Sequence, residues 1–281
     1  MSLSRSTLFQ LFKYCVYALL AMNVYWFFAE EHLAAKLQFP DGVGLADLIE
    51  AYAATIDTAA WVVLLLMFEL ETCILEDRHF TKPVTWGLHG LRAICYGFIV
   101  YAFYGYIVNV TALGGVSALP GVSDLCTLAA DGWSYAIDLD QFSAITAANC
   151  SSFSTATAFL RFDVMEAVVD AEGHRALTAL AWVDVINAGV WLLVVIVLEV
   201  DVRLQEHNRY EGLALRISTA AKVVLYSLLL LAAIYWGLKG DFVDFWDAFL
   251  WLVAFVFIEL NVFDWRQEAL EERAATDSLS I

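Results

Sequence analysis

Long apolar segments dominate the chain, and polar positions interrupt them at regular places. Six segments contain about 20 or more mostly apolar residues, the length that a helix needs to cross a bilayer. They cover 9–28, 46–75, 89–112, 177–204, 213–238 and 242–265. The pattern predicts an all-α integral membrane protein with six transmembrane helices, in which 1–281 forms a single membrane domain.

The second, fourth and sixth segments share one order of polar residues. Each has an Asp or Asn, a Trp four residues later and a Glu eight residues after the Trp. In each preceding segment a basic residue is followed four residues later by Tyr. This repetition predicts three helical hairpins in a quasi-threefold arrangement. The hairpins cover 1–76, 89–204 and 213–267, and 268–281 forms a short cytoplasmic tail.

The repeats place polar groups in two layers. The inner layer lies at the ends of the even-numbered helices and comprises Glu69, Glu71, Glu199, Asp201, Glu259 and Asn261, with Lys13, Arg92 and Lys222 from the preceding helices. The outer layer comprises Asp57, Asn187 and Asp247, with Asp184 as an additional acid. The layers are about 18 Å apart along a helix, and the hydrocarbon core is about 30 Å thick. At least one layer therefore lies inside the membrane, where such groups face a bundle interior or a wet cavity.

Two interpretations of the inner layer remain open. Antiparallel neighbours bring each base close to a Glu, so three ion pairs can fix the register of the hairpins. Alternatively, five carboxylates exceed the three bases, and the surplus can line a path for cations or protons. The Trp residues of the repeats, Trp61, Trp191 and Trp251, are interpreted as interface anchors or as core packing.

The distribution of basic residues predicts the orientation. Of the 15 Lys and Arg residues, 11 fall at the side of the N-terminus if the segments alternate in direction, which places both termini in the cytoplasm. The middle hairpin then carries an extracytoplasmic insertion, 113–175. We expect a Cys126–Cys150 disulfide there, because the compartment is oxidising. A helix is also predicted over 155–172, with Gly173 as its stop signal.

Composition and motifs narrow the function. The chain is 61% hydrophobic with a mean hydropathy of +0.69, which favours a membrane protein. Its net charge of −17 argues against a nucleic-acid partner. Because no metal, haem or nucleophile motif occurs in the sequence, we expect no enzyme activity, no metal and no cofactor.

Two functions fit these observations. The first is a membrane ion channel or an ion-coupled transport protein for cations or protons that uses the inner carboxylates. The second is a non-catalytic subunit or scaffold of a larger membrane assembly. We expect a multi-pass protein in the lipid bilayer of the cell (inner) membrane. We also expect it to form a homo-oligomer or to bind partner subunits in the same membrane.

Overall fold

The chain is mostly helical in the computed structural model, which describes residues 5–39, 42–71, 82–156, 158–163, 165–206, 212–255 and 257. Four helices are long: α1 (Arg5–Gln38), α4 (Lys82–Leu113), α6 (Ala171–Glu206) and α7 (Leu213–Lys239). The shorter helices are α2 (Leu48–Ala51), α3 (Ala53–Glu69), α5 (Cys150–Phe153) and α8, which covers 242–255.

The four long helices contain segments that are long and apolar enough to cross a membrane: Thr7–Gln38, Lys82–Leu113, Ala171–Asp201 and Leu213–Lys239. The second and sixth predicted segments are helical over shorter ranges. Tyr52 leaves the helical conformation, with φ −141° and ψ 37°, and separates α2 from the 17-residue α3. The predicted sixth segment is described as α8 through residue 255, and most of its remainder lies outside the described residues.

One apolar core joins α1, α3, α4, α6, α7 and α8. Leu20, Val194 and Ala254 have no exposed surface, and Leu229 is only 1% exposed. The helices pack in series along this core: α1 on α3, α3 on α4, α4 on α6 and α6 on α7. The repeated segments of the sequence therefore meet in one shared interior.

Gly105 allows α4 to approach α2 and the start of α3 closely. A Cβ atom at this position would lie 2.9 Å from the carbonyl oxygen of Ile49, 2.9 Å from the Ile49 side chain and 3.2 Å from the Ala53 Cβ. Small residues commonly mark such close helix contacts in membrane proteins. The contact holds α2 against the bundle.

We predict that Gly105→Ala destabilises the protein by about 1–3 kcal/mol, because a backbone oxygen blocks the added methyl group. Gly97 in the same helix provides the matched control, since a Cβ there meets nothing within 4 Å. Gly97→Ala should leave stability unchanged or raise it by up to about 1 kcal/mol. Unfolding midpoints in detergent test both changes, and equal midpoints for the two variants would contradict the prediction.

The insertion folds as a five-stranded sheet. Its strands are β1 (Val116–Leu119), β2 (Ser134–Ala136), β3 (Phe142–Ala144), β4 (Phe159–Phe162) and β5 (Ala167–Asp170), in the order β1-β4-β5-β2-β3. β2 and β5 run parallel, and the other neighbours are antiparallel. The Cys126–Cys150 disulfide is present, as predicted, and links the 3-10 turn Leu125–Leu128 to α5.

The prediction of a helix over 155–172 is wrong, because the described residues of this range include β4 and β5, and α6 begins only at Ala171. Val168 and Val169 are both fully buried. Val168 packs into a small core on one face of the sheet, and Val169 packs into a second small core on the other face. A strand covered on both faces has consecutive apolar residues instead of alternating ones. Such a run of apolar residues cannot be distinguished from a buried helix by its periodicity, so the sequence pattern does not indicate a strand here.

Candidate functional site

A cavity of about 360 Å³ lies between the helices and the insertion. Residues of α1, α2, α3, α4, α6, α7 and α8 form its walls, and residues 138–141 between β2 and β3 cover it from the insertion side. The insertion is thus part of the site and not a separate surface domain. Cavities of this size between helices are common ligand sites.

Ten carboxylates line this cavity, whereas no Lys, Arg or His is found in the described part of its lining. The ten are Glu30, Glu31, Glu50, Asp57, Asp138, Asp140, Asp184, Asp241, Asp244 and Asp247. Carboxylates at close range repel one another, and the repulsion grows where protein replaces water. The cavity therefore favours cations or protons as counter-charges.

Two of these carboxylates hold the helices in place. Glu31, which is 6% exposed, accepts hydrogen bonds from the backbone amides of Ala54 at 2.8 Å and Thr55 at 3.0 Å. These amides belong to the first turn of α3, where no carbonyl of the same helix is available. Asp241 accepts a hydrogen bond from the Asp244 amide at 3.3 Å and caps α8 in the same way.

The three repeated Trp residues meet at the floor of the cavity. The ring centroids of Trp61 and Trp191 are 6.0 Å apart, those of Trp61 and Trp251 are 6.2 Å apart, and those of Trp191 and Trp251 are 6.5 Å apart. Each indole is at least 92% buried. The interpretation of these residues as core packing agrees with this position, and all three residues also line the cavity.

The predicted outer layer lies directly against this floor. Asp57, Asn187 and Asp247 each line the cavity one helical turn before a Trp of the floor. Asp57 is within hydrogen-bonding reach of Trp61 and of Tyr106 from α4. Asp247 accepts a hydrogen bond from Asn23 Nδ2 at 2.7 Å. Asp184 lines the same cavity one turn nearer to the insertion.

One polar atom of this layer lacks a partner. Asn187 Oδ1 is buried and has no hydrogen-bond partner among the described residues. An amide oxygen in this position is costly unless a donor reaches it. Asn187 stands where the other two repeats have Asp, so all three groups offer oxygen acceptors to the cavity.

The predicted inner layer lies beyond the floor, and its bases pair with its acids. Lys13 Nζ lies 2.6 Å from Glu69 Oε1, Arg92 lies 2.6 Å from Glu71, and Lys222 lies 3.3 Å from Asp201. Glu199 contacts Arg203 of the same helix at 3.1 Å. Glu259 and Asn261 lie outside the described residues. Among the described residues, each predicted base therefore forms an ion pair with a carboxylate of a neighbouring even segment.

Seven of the cavity acids were missed in the sequence: Glu30, Glu31, Glu50, Asp138, Asp140, Asp241 and Asp244. They lie at helix ends or in the insertion, outside the repeated pattern, and belong to separate parts of the chain. The one available signal in the sequence is the net charge of −17, which reflects 32 acidic against 15 basic residues. It does not show that these residues converge on one cavity.

The acids do not form a metal site of ordinary geometry. Within the described ranges, no three His, Cys, Asp or Glu side chains come together closely enough to hold a metal ion. The carboxylates are instead spread over the cavity wall. The chain matches no known protein-family profile, no curated protein and no solved structure, so the site itself carries the functional interpretation.

Asp140 makes the stability of the insertion depend on pH. Burial, together with repulsion from Glu30, Asp138 and Asp241, raises the pKa of Asp140 from 3.8 to about 7. Burial also raises the pKa of Asp138. The folded protein thus binds a proton more tightly than the unfolded chain. The stabilising contribution is complete below about pH 4 and is lost as the pH rises through about 7.

We therefore predict that Asp140→Asn stabilises the protein relative to wild type at pH 8, by about 1–2 kcal/mol, and much less at pH 5. Melting temperatures of the two proteins in detergent at both pH values measure the difference. Asp131→Asn, on the exposed surface of the insertion, is the control and should show no such pH dependence. A constant difference between wild type and Asp140→Asn would contradict the prediction.

Proposed function

We propose that this protein transports cations across a membrane and binds them in the acidic cavity. The observation that carries the proposal is the set of ten carboxylates around one cavity without a described basic residue in its lining. Charged groups buried in a membrane bundle usually serve a substrate or ion pathway. Four helices of spanning length make a membrane location consistent with this function.

The proposal includes the architecture predicted from the repeats. We propose six spanning helices in three hairpins, with both termini in the cytoplasm and the insertion outside. The contact of the three repeated Trp residues supports the quasi-threefold arrangement, because each hairpin contributes one ring. Binding sites at the interface of structural repeats are typical of secondary transporters.

The region beyond the Trp floor is tightly packed, which favours a carrier over an open pore. Leu20, Val194 and Ala254 leave no exposed surface in the core next to the floor. The Lys13–Glu69 pair, with both side chains at most 6% exposed, closes the opposite end. A cation in the cavity can cross only if the helices rearrange, as alternating access requires.

The pairing of the inner layer assigns it a supporting role in this proposal. Lys13, Arg92 and Lys222 already neutralise Glu69, Glu71 and Asp201. Carboxylates that hold bases between helices are poorly suited to binding a passing cation at the same time. The outer layer and the cavity acids therefore take the place that the sequence assigned to the inner carboxylates.

Cation flux into liposomes that contain only this protein tests the proposal. The wild type is compared with the double variant Asp57→Asn and Asp247→Asn, under gradients of K⁺, Na⁺, Ca²⁺, protons and organic ammonium ions. We expect flux for at least one of these cations and a loss of about tenfold or more in the variant, because the two acids nearest the floor lose their charge.

The matched control is the double variant Asp131→Asn and Glu166→Gln, which removes the same charge from exposed positions of the insertion. This control should keep wild-type flux. If folded wild-type protein carries none of these cations, the transport proposal fails and the scaffold function is favoured. Flux that is unchanged in the variant would show that cations do not use this cavity.

A further inference from the structure

We propose that the cation bound in this cavity is a linear diamine or polyamine. The inference rests on the proposed function and adds the chemical class of the substrate. Four features of the cavity support it: the aromatic floor, the separation of the acids, the unpaired amide oxygen and the absence of a compact metal site in the described residues.

The aromatic floor matches an alkylammonium ion. Trp61, Trp191 and Trp251 line the cavity beside Asp57 and Asp247. An ammonium group is attracted to the face of an indole ring by cation–π interaction and to a neighbouring carboxylate by charge, and both attractions are stronger where water is excluded. The methylene groups of an amine also gain from contact with indole rings, whereas a hydrated metal ion does not.

The acids form two levels that suit a molecule with charges at both ends. Asp57 and Asp247 lie at the floor, and each acts electrostatically on the other. Asp241 lies near the insertion, where Glu30, Asp138 and Asp140 are its electrostatic neighbours. Asp247 is six positions after Asp241, which corresponds to about 9 Å along the helix axis. A linear diamine or polyamine can place one ammonium group at each level.

The unpaired oxygen supplies a further contact. Asn187 Oδ1 is buried without a described partner and belongs to the floor level. A primary ammonium group has three N–H donors, so it can bond this oxygen together with a carboxylate. Such a contact would give a hydrogen-bond partner to a buried oxygen that is otherwise unpaired and destabilising.

The spread of the acids disfavours hard metal ions. Ca²⁺ and Mg²⁺ need several oxygen ligands at about 2.0–2.6 Å around one point. The described residues contain no group of three carboxylates or other ligands arranged for this purpose. A cavity of about 360 Å³ is also much larger than a coordination sphere and fits an organic ion.

Calorimetric titration of the full-length protein in detergent tests the inference without requiring transport. The probes are putrescine, spermidine, n-butylamine and Mg²⁺. We expect putrescine and spermidine to bind about tenfold or more tightly than n-butylamine, because the second ammonium group engages the second level of acids. Mg²⁺ should bind more weakly than either diamine or polyamine.

Two variants locate the binding. Asp247→Asn should weaken putrescine binding about tenfold or more, and Asp131→Asn, on the exposed insertion surface, should leave it unchanged. Since Asp247→Asn can also lower the yield of folded protein, the ligand comparison on wild type serves as an independent measurement. Tighter binding of Mg²⁺, or equal binding of putrescine and n-butylamine, would overturn the inference.

The two proposals fail separately. Flux of inorganic cations through protein that does not bind amines would leave the transport function in place and reject the amine substrate. Amine binding that Asp247→Asn weakens, in protein that moves no cation in liposomes, would support the binding site and reject transport.

Discussion

Replacing Lys13 by Met should cost about 3–5 kcal/mol of stability, because it leaves Glu69 buried without its counter-charge. Lys13 Nζ and Glu69 Oε1 are 2.6 Å apart, and the two side chains are 6% and 3% exposed. Among the described residues, the other donors to Glu69 are phenols: Tyr14 lies at 3.0 Å and Tyr17 at 3.4 Å. Neutral hydrogen bonds of this kind cannot replace a full positive charge.

The pair Arg203–Glu199 provides the comparison. It has a similar length of 3.1 Å, but its side chains are 72% and 56% exposed, and both residues lie on α6. Arg203→Met should therefore change stability by less than about 1 kcal/mol. Combining Lys13→Met with Glu69→Gln should recover most of the loss, since no uncompensated charge remains.

Denaturant or thermal unfolding in detergent, with folded yield as a second measure, distinguishes these outcomes. A large loss for Lys13→Met that the second change does not reverse would show that the packing of Lys13 matters more than its charge. Equal small losses of stability for Lys13→Met and Arg203→Met would show that burial does not increase the contribution of the Lys13–Glu69 pair to stability.

The polar repeat in the sequence predicts positions along the helices more closely than it predicts individual partners. The spacing of Asp57 and Trp61 on one helical face placed both beside the same interior, where the structure has them. The bases at the starts of the odd segments pair with acids at the ends of the even ones. For the bases of the second and third hairpins, the partner acid is Glu71 or Asp201, two residues beyond the repeated Glu. A periodic pattern predicts which face of a helix a residue occupies and its height to within about one turn. It does not predict which of two nearby acids a flexible basic side chain contacts.

The cavity itself could not be predicted, because its acids come from distant parts of the chain. Glu30 is near the end of α1, Asp140 is in the insertion and Asp241 precedes α8. Their proximity depends on how the helices pack and on how the sheet sits over the bundle. Neither follows from the spacing of residues within one segment. The sheet could not be predicted either. The buried valines of β5 contact two separate cores, so the strand lacks the alternation of apolar and polar residues that would indicate it.

Replacing Trp191 by Ala should destabilise the protein by about 3–5 kcal/mol and weaken the barrier below the cavity. The indole is 7% exposed and lies next to Trp61, Trp251 and Phe255, with a centroid distance of 4.5 Å to the Phe255 ring. Neighbouring side chains on α3 and α8 cannot close the space that its loss creates without breaking these contacts. The remaining space would extend the cavity toward the core.

Trp182 on the same helix is the matched control for this change. It is 51% exposed and does not line the cavity, so Trp182→Ala should cost less than about 1 kcal/mol. The stability loss of Trp191→Phe, which keeps one aromatic ring, should lie between those of Trp191→Ala and Trp182→Ala. Unfolding midpoints measure the stability, and proton leak into liposomes measures the barrier. A Trp with a purely structural role would affect the unfolding midpoint alone. A proton leak in Trp191→Ala but not in Trp182→Ala would therefore identify the Trp floor as the barrier between the acidic cavity and the opposite end of the bundle.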